Sequence, residues 1–290
     1  MNWFKPVFLS ASLVLSSAGF ASSADLDIPP EYIPPEPPVV HASGGWYLRG
    51  DVGYSHMDLA SVTILEDAHT SATYTPTHTK FTYHELGSSW MLGGGIGYQI
   101  NDYFRVDATA NYHTSASLSG NSASTLDPFP CDYISDDNGD GDTCVTSDRG
   151  GFRAATLMAN GYLDLGSYMG FTPYVGAGVG GAYVHWEDMK NNTHCTEVGD
   201  CLDNGGLSYD NDFDGIHGGE AGWRFAYALH AGTSYSLTSN LKLDAGYSFT
   251  HISDGDMFGF AKGSGDMGVQ GHHGDIKIHT WRAGLRYQFD

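Results

Sequence analysis

The chain has 290 residues and sets 34 Asp and Glu against 13 Lys and Arg, a formal charge of −21. Charged residues make up only 16%, below the roughly 25% of an ordinary soluble domain, while hydrophobic residues reach 41% and aromatic residues 13%. The absent basic excess excludes a nucleic-acid binder, the apolar content excludes a disordered chain, and the lack of long apolar runs beyond the first residues excludes a helical membrane protein.

The chain opens with a leader pattern. Lys5 precedes the apolar run Val7 to Leu15, and small residues then lead through Ala18, Ala21 and Ala24. A positive start, a short apolar stretch and small residues at −3 and −1 predict a secretory signal peptide over 1–24, cut after Ala24, with Ala21 as the rival site. Its removal takes away Lys5 and none of the acids. Residues 25–43 follow, with Pro29-Pro30, Pro34-Pro35 and Pro37-Pro38. Proline donates no ladder hydrogen bond and favours an extended conformation, so this stretch reads as a periplasmic N-terminal spacer or, alternatively, a docking segment.

From residue 44 to 290 the dominant signal has period 2. Trp46 to Met57 sets Trp46, Leu48, Val52 and Tyr54 on one face against Tyr47, Arg49, Asp51, Gly53 and Ser55. Trp90 to Ile100 sets Trp90, Leu92, Ile96 and Tyr98 against Gly93, Gly95, Gly97 and Gln99, and Phe104 to His113 sets Phe104, Val106, Ala108 and Tyr112 against Arg105, Asp107, Thr109 and Asn111. A long connection then carries Asp136, Asn138, Asp140 and Asp142 at alternate positions, with Gly141 among them. Oxygen ligands converging on a tight loop suit Ca²⁺, although the bidentate Glu of an EF-hand is replaced by Ser147, so a solvated acidic loop is the competing reading. In an exported chain the four cysteines predict disulfides, and their order suggests the local pairs Cys131–Cys144 and Cys195–Cys201.

The pattern resumes at Ala155 to Leu165, where Leu157, Ala159 and Leu163 oppose Thr156, Asn160, Tyr162 and Asp164. Phe171 to Trp186 places Val175, Ala177 and Val179 against Tyr174, Gly176, Gly178 and Gly180. A second acidic connection includes Glu187, Asp188, Glu197, Asp200, Asp203, Asp210, Asp212, Asp214 and Glu220 beside Lys190; divalent cations could bridge it to lipopolysaccharide phosphates, or it could simply repel neighbours. Trp223 to Leu237, Leu241 to Ile252 and Ile276 to Phe289 complete eight alternating segments, which predict eight strands.

The connections alternate between a few residues and about twenty to nearly forty. That layout predicts an eight-stranded antiparallel transmembrane β-barrel with short periplasmic turns and long external loops. A soluble barrel would share the period with the opposite sense. Glycines on the charged face suit a cramped lumen, aromatics near strand ends suit a lipid interface, and the Tyr287-Gln288-Phe289-Asp290 end suggests recognition by the outer-membrane assembly machinery. The lumen would then hold Arg49, Arg105, Arg224, Lys242, Arg282 and Arg286 with Asp51, Asp107, Asp164 and Asp244. Buried charges need partners, so an ion-pair plug is expected, with a narrow porin for small solutes as the alternative.

The stretches Gly45-Trp46-Tyr47-Leu48-Arg49-Gly50-Asp51-Val52-Gly53-Tyr54, Asn160-Gly161-Tyr162-Leu163-Asp164-Leu165-Gly166, Phe171-Thr172-Pro173-Tyr174-Val175-Gly176-Ala177-Gly178, Ala226-Tyr227-Ala228-Leu229-His230-Ala231-Gly232 and Leu241-Lys242-Leu243-Asp244-Ala245-Gly246-Tyr247 resemble the small OmpA-like, porin-family outer-membrane proteins of alphaproteobacteria. The resemblance spans the export signal and all eight strands but not the long loops. It implies a Gram-negative outer-membrane location, an envelope-stabilising or surface-antigen role, contact with host or envelope partners, and haemin binding in some members. The loop histidines His194, His217, His272 and His273 are the candidate haem or metal ligands. No enzyme is expected: His56, His84, His113 and His230 are not paired in sequence with a nucleophilic Ser and an orienting acid.

Overall fold

The computed structural model describes residues 44–65, 78–122, 129–130, 143–195, 213–263 and 267–289. The leader over 1–24, the Pro-rich stretch over 25–43, Cys131, Cys201 and the Asp136 to Asp142 loop lie outside the described residues.

Eight long strands form the wall: β1 (Gly45–Leu59), β2 (Ser89–Gln99), β3 (Phe104–Asn121), β4 (Thr143–Asp164), β5 (Phe171–Trp186), β6 (Ala221–Ser236), β7 (Leu241–Ile252) and β8 (Ile276–Gln288). Each pairs antiparallel with its sequence neighbour, and β8 pairs with β1 from Tyr47↔Gln288 to Leu59↔Ile276. The sheet therefore closes on itself as an eight-stranded antiparallel barrel with no free edge in its wall, the condition for strands to cross lipid.

The three short connections follow from local chemistry. Asn101 Oδ1 accepts from the Tyr103 and Phe104 amides at 2.9 and 2.8 Å, and Thr238 Oγ1 accepts from the Leu241 amide at 3.0 Å. Between β4 and β5 the chain reverses through Gly166 and Gly170 at φ 93° and 85°, a left-handed region that glycine enters without a Cβ clash.

Along most strands, as on β1 and β8, the outward residues are apolar through the lower wall and polar above it. On β1, Trp46, Leu48, Val52 and Tyr54 are exposed, and His56 and Asp58 continue the same face. On β8, exposed Tyr287, Leu285 and Trp281 give way to His279 and Lys277. Inward residues change in the opposite sense at the same level: Arg49, Asp51 and Ser55 are followed by Met57 and Leu59, and Arg286 and Thr280 by Ile278 and Ile276. The apolar outer band has an aromatic pair at each rim. Trp46 meets Tyr98 at the short-turn rim with centroids 5.3 Å apart, and Tyr54 meets Trp90 at the other at 5.4 Å. Eight residues separate Trp46 from Tyr54. At ~3.3 Å per residue and a tilt of ~40°, that is roughly 20 Å of vertical height.

Above this band the long connections are not plain loops. Val62–Leu65, His78–Lys80, Tyr83–Leu86, Met189–Cys195, Phe213–Gly219, Gly255–Ala261 and Val269–His273 are strands that continue the sheet, together with the upper ends of β3 and β4. They enclose an apolar core in which Val62, Phe152, Ile252, Ile276 and Ile278 are fully buried, and Phe152 packs on Trp186 at 4.7 Å. The sequence expectation of loops after β1, β3, β5 and β7 is corrected to this extent. Once outside lipid, an apolar inner face and a polar outer face are the ordinary pattern of a strand in water, and short runs of it extend the wall.

Candidate functional site

The lower lumen is packed with side chains that the alternation directs inward. Arg49 clasps Asp51 with its Nε and Nη2, both at 2.8 Å, and donates through Nη1 to Asp107 at 3.0 Å. Arg105 donates its Nε to Asp164 at 3.2 Å, and Gln99 donates to the same carboxylate at 3.2 Å. Arg286 clasps Asp244 with Nε at 3.2 Å and Nη2 at 3.3 Å, and Nη2 also donates to Ser234 at 2.8 Å, while Ser234 donates to Asp244. These groups are almost completely shielded: the Arg49, Asp51, Asp107 and Arg105 side chains are 2% exposed or less.

Register places each partner across the sheet. Asp107 on β3 stands next to β4's Asn160, which donates to it at 2.7 Å and to Thr109 at 3.0 Å. With its amide so oriented, Asn160 Oδ1 accepts from His230 Nε2 at 3.1 Å, and His230 Nδ1 is left to accept from Ser248 at 2.9 Å. One hydrogen-bonded chain thus runs from Arg49 through Asp107 and Asn160 to His230.

Three tyrosines fill what the charges leave. Tyr162 and Tyr174, edge to face with centroids 5.8 Å apart, form a corner around the Arg105 guanidinium, 4.3 and 4.5 Å from its carbon, and Tyr47 lies 5.3 Å from Arg286. The rings supply a cation–π surface to guanidinium faces that have few other partners. The inward glycines make this possible: a Cβ on Gly97 would overlap the Tyr47 ring, and one on Gly176 the Tyr162 ring.

Three of the ten lumenal charges expected from the sequence have no ion pair to a described carboxylate. Arg224 lies higher than expected and donates to the backbone oxygens of Trp223 and Asp256 at 3.2 and 3.1 Å. Lys242 is half-buried towards the short-turn end, one pleat from Asp244. Arg282 faces a cavity of about 20 Å³ lined among others by Asn111, His113, Thr156, His230 and Thr280, and its Nε and Nη2 are buried without a hydrogen-bond partner. The tyrosines, Asn160, Ser234 and Gln99 were absent from the expected set although they share the charged face; their parity along the strand was the available signal.

The other candidate residues are scattered. Asp136, Asn138, Asp140 and Asp142 lie outside the described residues. The backbone register sets Cys144 opposite Cys195, while their expected partners Cys131 and Cys201 fall outside the described residues. His217 contacts the Gly259 carbonyl oxygen at 3.2 Å, His272 approaches Asp256 at 3.1 Å, and His273 points inward against Trp186 with centroids 5.4 Å apart. These histidines do not converge, and among the described residues no group of three or more His, Cys, Asp or Glu side chains could hold a metal ion. Burial in the upper core holds the His273 imidazole below its usual pKa. Beside it in the upper wall, Lys262 holds the Asp188 carboxyl low by hydrogen bonding, whereas burial pushes Asp148 up against hydrogen bonds from Asn191 and Ser122.

The structure does bring a Ser, a His and an acid together, contrary to the sequence expectation. Ser88 Oγ lies 3.3 Å from His56 Nδ1, and Asp58 lies 3.5 Å from His56 Nε2. Asp58 is nearer to His279, at 3.3 Å, and the His56 and Asp58 side chains are more than half exposed. An acid divided between two imidazoles on an open surface lacks the fixed, water-excluded geometry that acyl transfer requires. Of the enzyme histidines, His113 instead contacts Ser55 at 3.1 Å within the lumen, and His84 contacts the Leu59 carbonyl oxygen at 3.0 Å.

Residues 11–289 match the family model described as outer membrane protein beta-barrel domain. An uncharacterized protein of Brucella suis biovar 1 (strain 1330) is 33% identical over 291 residues, covering 95% of each chain. Outer membrane protein PagN of Salmonella typhimurium is 35% identical over 97 residues, or 33% of this chain and 34% of PagN. Among solved structures, Neisserial surface protein A aligns over 84% of this chain and 97% of its own at 16% identity, with a TM-score of 0.40.

Proposed function

Because this chain belongs to the outer membrane protein beta-barrel family, and its place is the bacterial outer membrane, we propose that it is a closed, non-enzymatic membrane anchor that displays an external β-sheet and supports the cell envelope. The filled bore carries this reading. Its lower half is occupied by the Arg49, Arg105 and Arg286 ion pairs with their tyrosines, and its upper half by the core around Phe152, Ile252 and Ile278. Eight strands leave an interior just wide enough for side chains, and a path for solutes would have to break both tiers. An open porin would need a continuous polar passage.

The same wall defines the partners of this reading. The aromatic rims meet the lipid headgroups. Just beyond the upper rim, Lys277, Arg153 and the outward histidines lie on the wall's outer face, where they would meet lipopolysaccharide phosphates.

The test is single-channel recording in planar bilayers, with heat-modifiable gel mobility confirming the folded state. The expected result is no unitary current. Stable openings from folded wild-type protein would overturn closure.

A further inference from the structure

We propose that Arg282 binds a small monovalent anion, of the size of chloride, in the mid-lumen cavity. The lumenal guanidinium forks differ in what they grip. In Arg49 the Nε–Nη2 edge grips Asp51, and in Arg286 the same edge grips Asp244. In Arg282 that edge has no hydrogen-bond partner among the described residues, although both nitrogens are shielded from solvent. The lumenal carboxylates are already engaged: Asp51 and Asp107 by Arg49, Asp164 by Arg105 and Asp244 by Arg286. Arg49 repels Arg282, Asp51 attracts it without forming an ion pair, and the Tyr162 phenol supplies a hydrogen bond but no countercharge.

The cavity beside the fork has the right chemistry. No carboxylate lines it, and Asn111, Thr156, Thr280 and His113 bring amide, hydroxyl and imidazole groups to its wall. Its volume is about 20 Å³; on this measure ~10–15 Å³ admits one water-sized sphere. One monatomic anion fits, whereas sulfate or an organic carboxylate does not. Water could satisfy the hydrogen bonds but would leave the shielded fork without a countercharge in contact, whereas an anion supplies both.

The experiment uses refolded full-length barrel in detergent, with chloride exchanged for gluconate at constant ionic strength. The apparent Tm of the wild type is expected to rise by about 5–10 °C at a hundred-fold excess of chloride over its dissociation constant. Arg282→Gln should lose that dependence and match or exceed the wild type in gluconate. Crystals grown in bromide should show an anomalous peak beside Arg282 Nε and Nη2, a readout independent of whether the variant folds. Equal Tm in chloride and gluconate, or a site holding only water in bromide crystals, overturns the proposal. Neither readout depends on conductance, so failure here is distinguishable from failure of the closed-bore reading.

Discussion

Replacing Asp244 by Leu should destabilise the barrel more than any loss of packing volume would suggest. The change removes the acceptor of two Arg286 bonds, at 3.2 and 3.3 Å, and the partner of Ser234. Arg286 would retain a hydrogen bond to Ser234, a 3.4 Å contact to Gln99 and the Tyr47 ring, but no carboxylate, with its side chain 3% exposed. Breaking a buried pair from one side costs about 3–5 kcal/mol, because the remaining charge stays in the low-dielectric interior. Removing both partners, as Asp244→Leu with Arg286→Met, eliminates that charge and should return stability to within about 1 kcal/mol of the wild type. With each single change costing about 3–5 kcal/mol and the double about 1, the coupling energy is expected at about 5 kcal/mol or more, read from urea unfolding in lipid vesicles by tryptophan fluorescence as a double-mutant cycle. Additive single effects, or a single variant costing less than about 1 kcal/mol, would refute the view that this pair is desolvated.

Gly176→Leu should fold poorly, since its Cβ would overlap the Tyr162 ring and crowd the Gly161 carbonyl oxygen; overpacking costs about 1–3 kcal/mol, and pairing it with Tyr162→Ala should recover part of the folded yield on heat-modifiable gels. Phe152→Ala should cost about 3–5 kcal/mol, with hydrogen exchange rising in the upper wall around Val269–His273 while Arg49–Asp51 neighbours stay protected. His273 gives a pH effect of defined sign. Its pKa is lowered by burial, so the unfolded chain takes up a proton first. Upper-wall stability should be complete above the unfolded value of ~6.5 and decline as pH falls below it. Hydrogen exchange of Val269–His273 from pH 8 to 5 checks this, and His273→Phe should flatten the profile.

The barrel was legible because alternation needs no tertiary knowledge: Trp46 and Leu48 against Tyr47 and Arg49 already assign two faces. The lumenal set was legible by parity alone. Which acid meets which cation was not, because pairing depends on register and stagger; Arg49 reaches Asp107, 58 residues away, and Arg286 reaches Asp244 only because Lys242 and Arg286 are cross-strand neighbours. Arg224 shows the limit. It has inward parity, but on its strand it lies above the charged layer, where backbone oxygens are the nearest acceptors. The upper wall was missed because runs such as Val62–Leu65 are too short for a period to stand out.

One wall serves two solvents, and the switch between them is written in single strands. At Ser55 on β1 the outward face passes from Tyr54 to His56 and the inward face from Ser55 to Met57. In lipid the apolar side must face out and the polar groups must satisfy one another inside; in water the preference reverses. The reversal gives each half its own means of closing the bore. Below it, closure rests on ion pairs that are costly to disturb singly; above it, on apolar burial around Phe152 and Ile278. Arg282 and its cavity lie between the two. That is the level where the acidic partners have ended and the apolar core has only begun, which is why a cation there is left with a fork that no protein carboxylate fills.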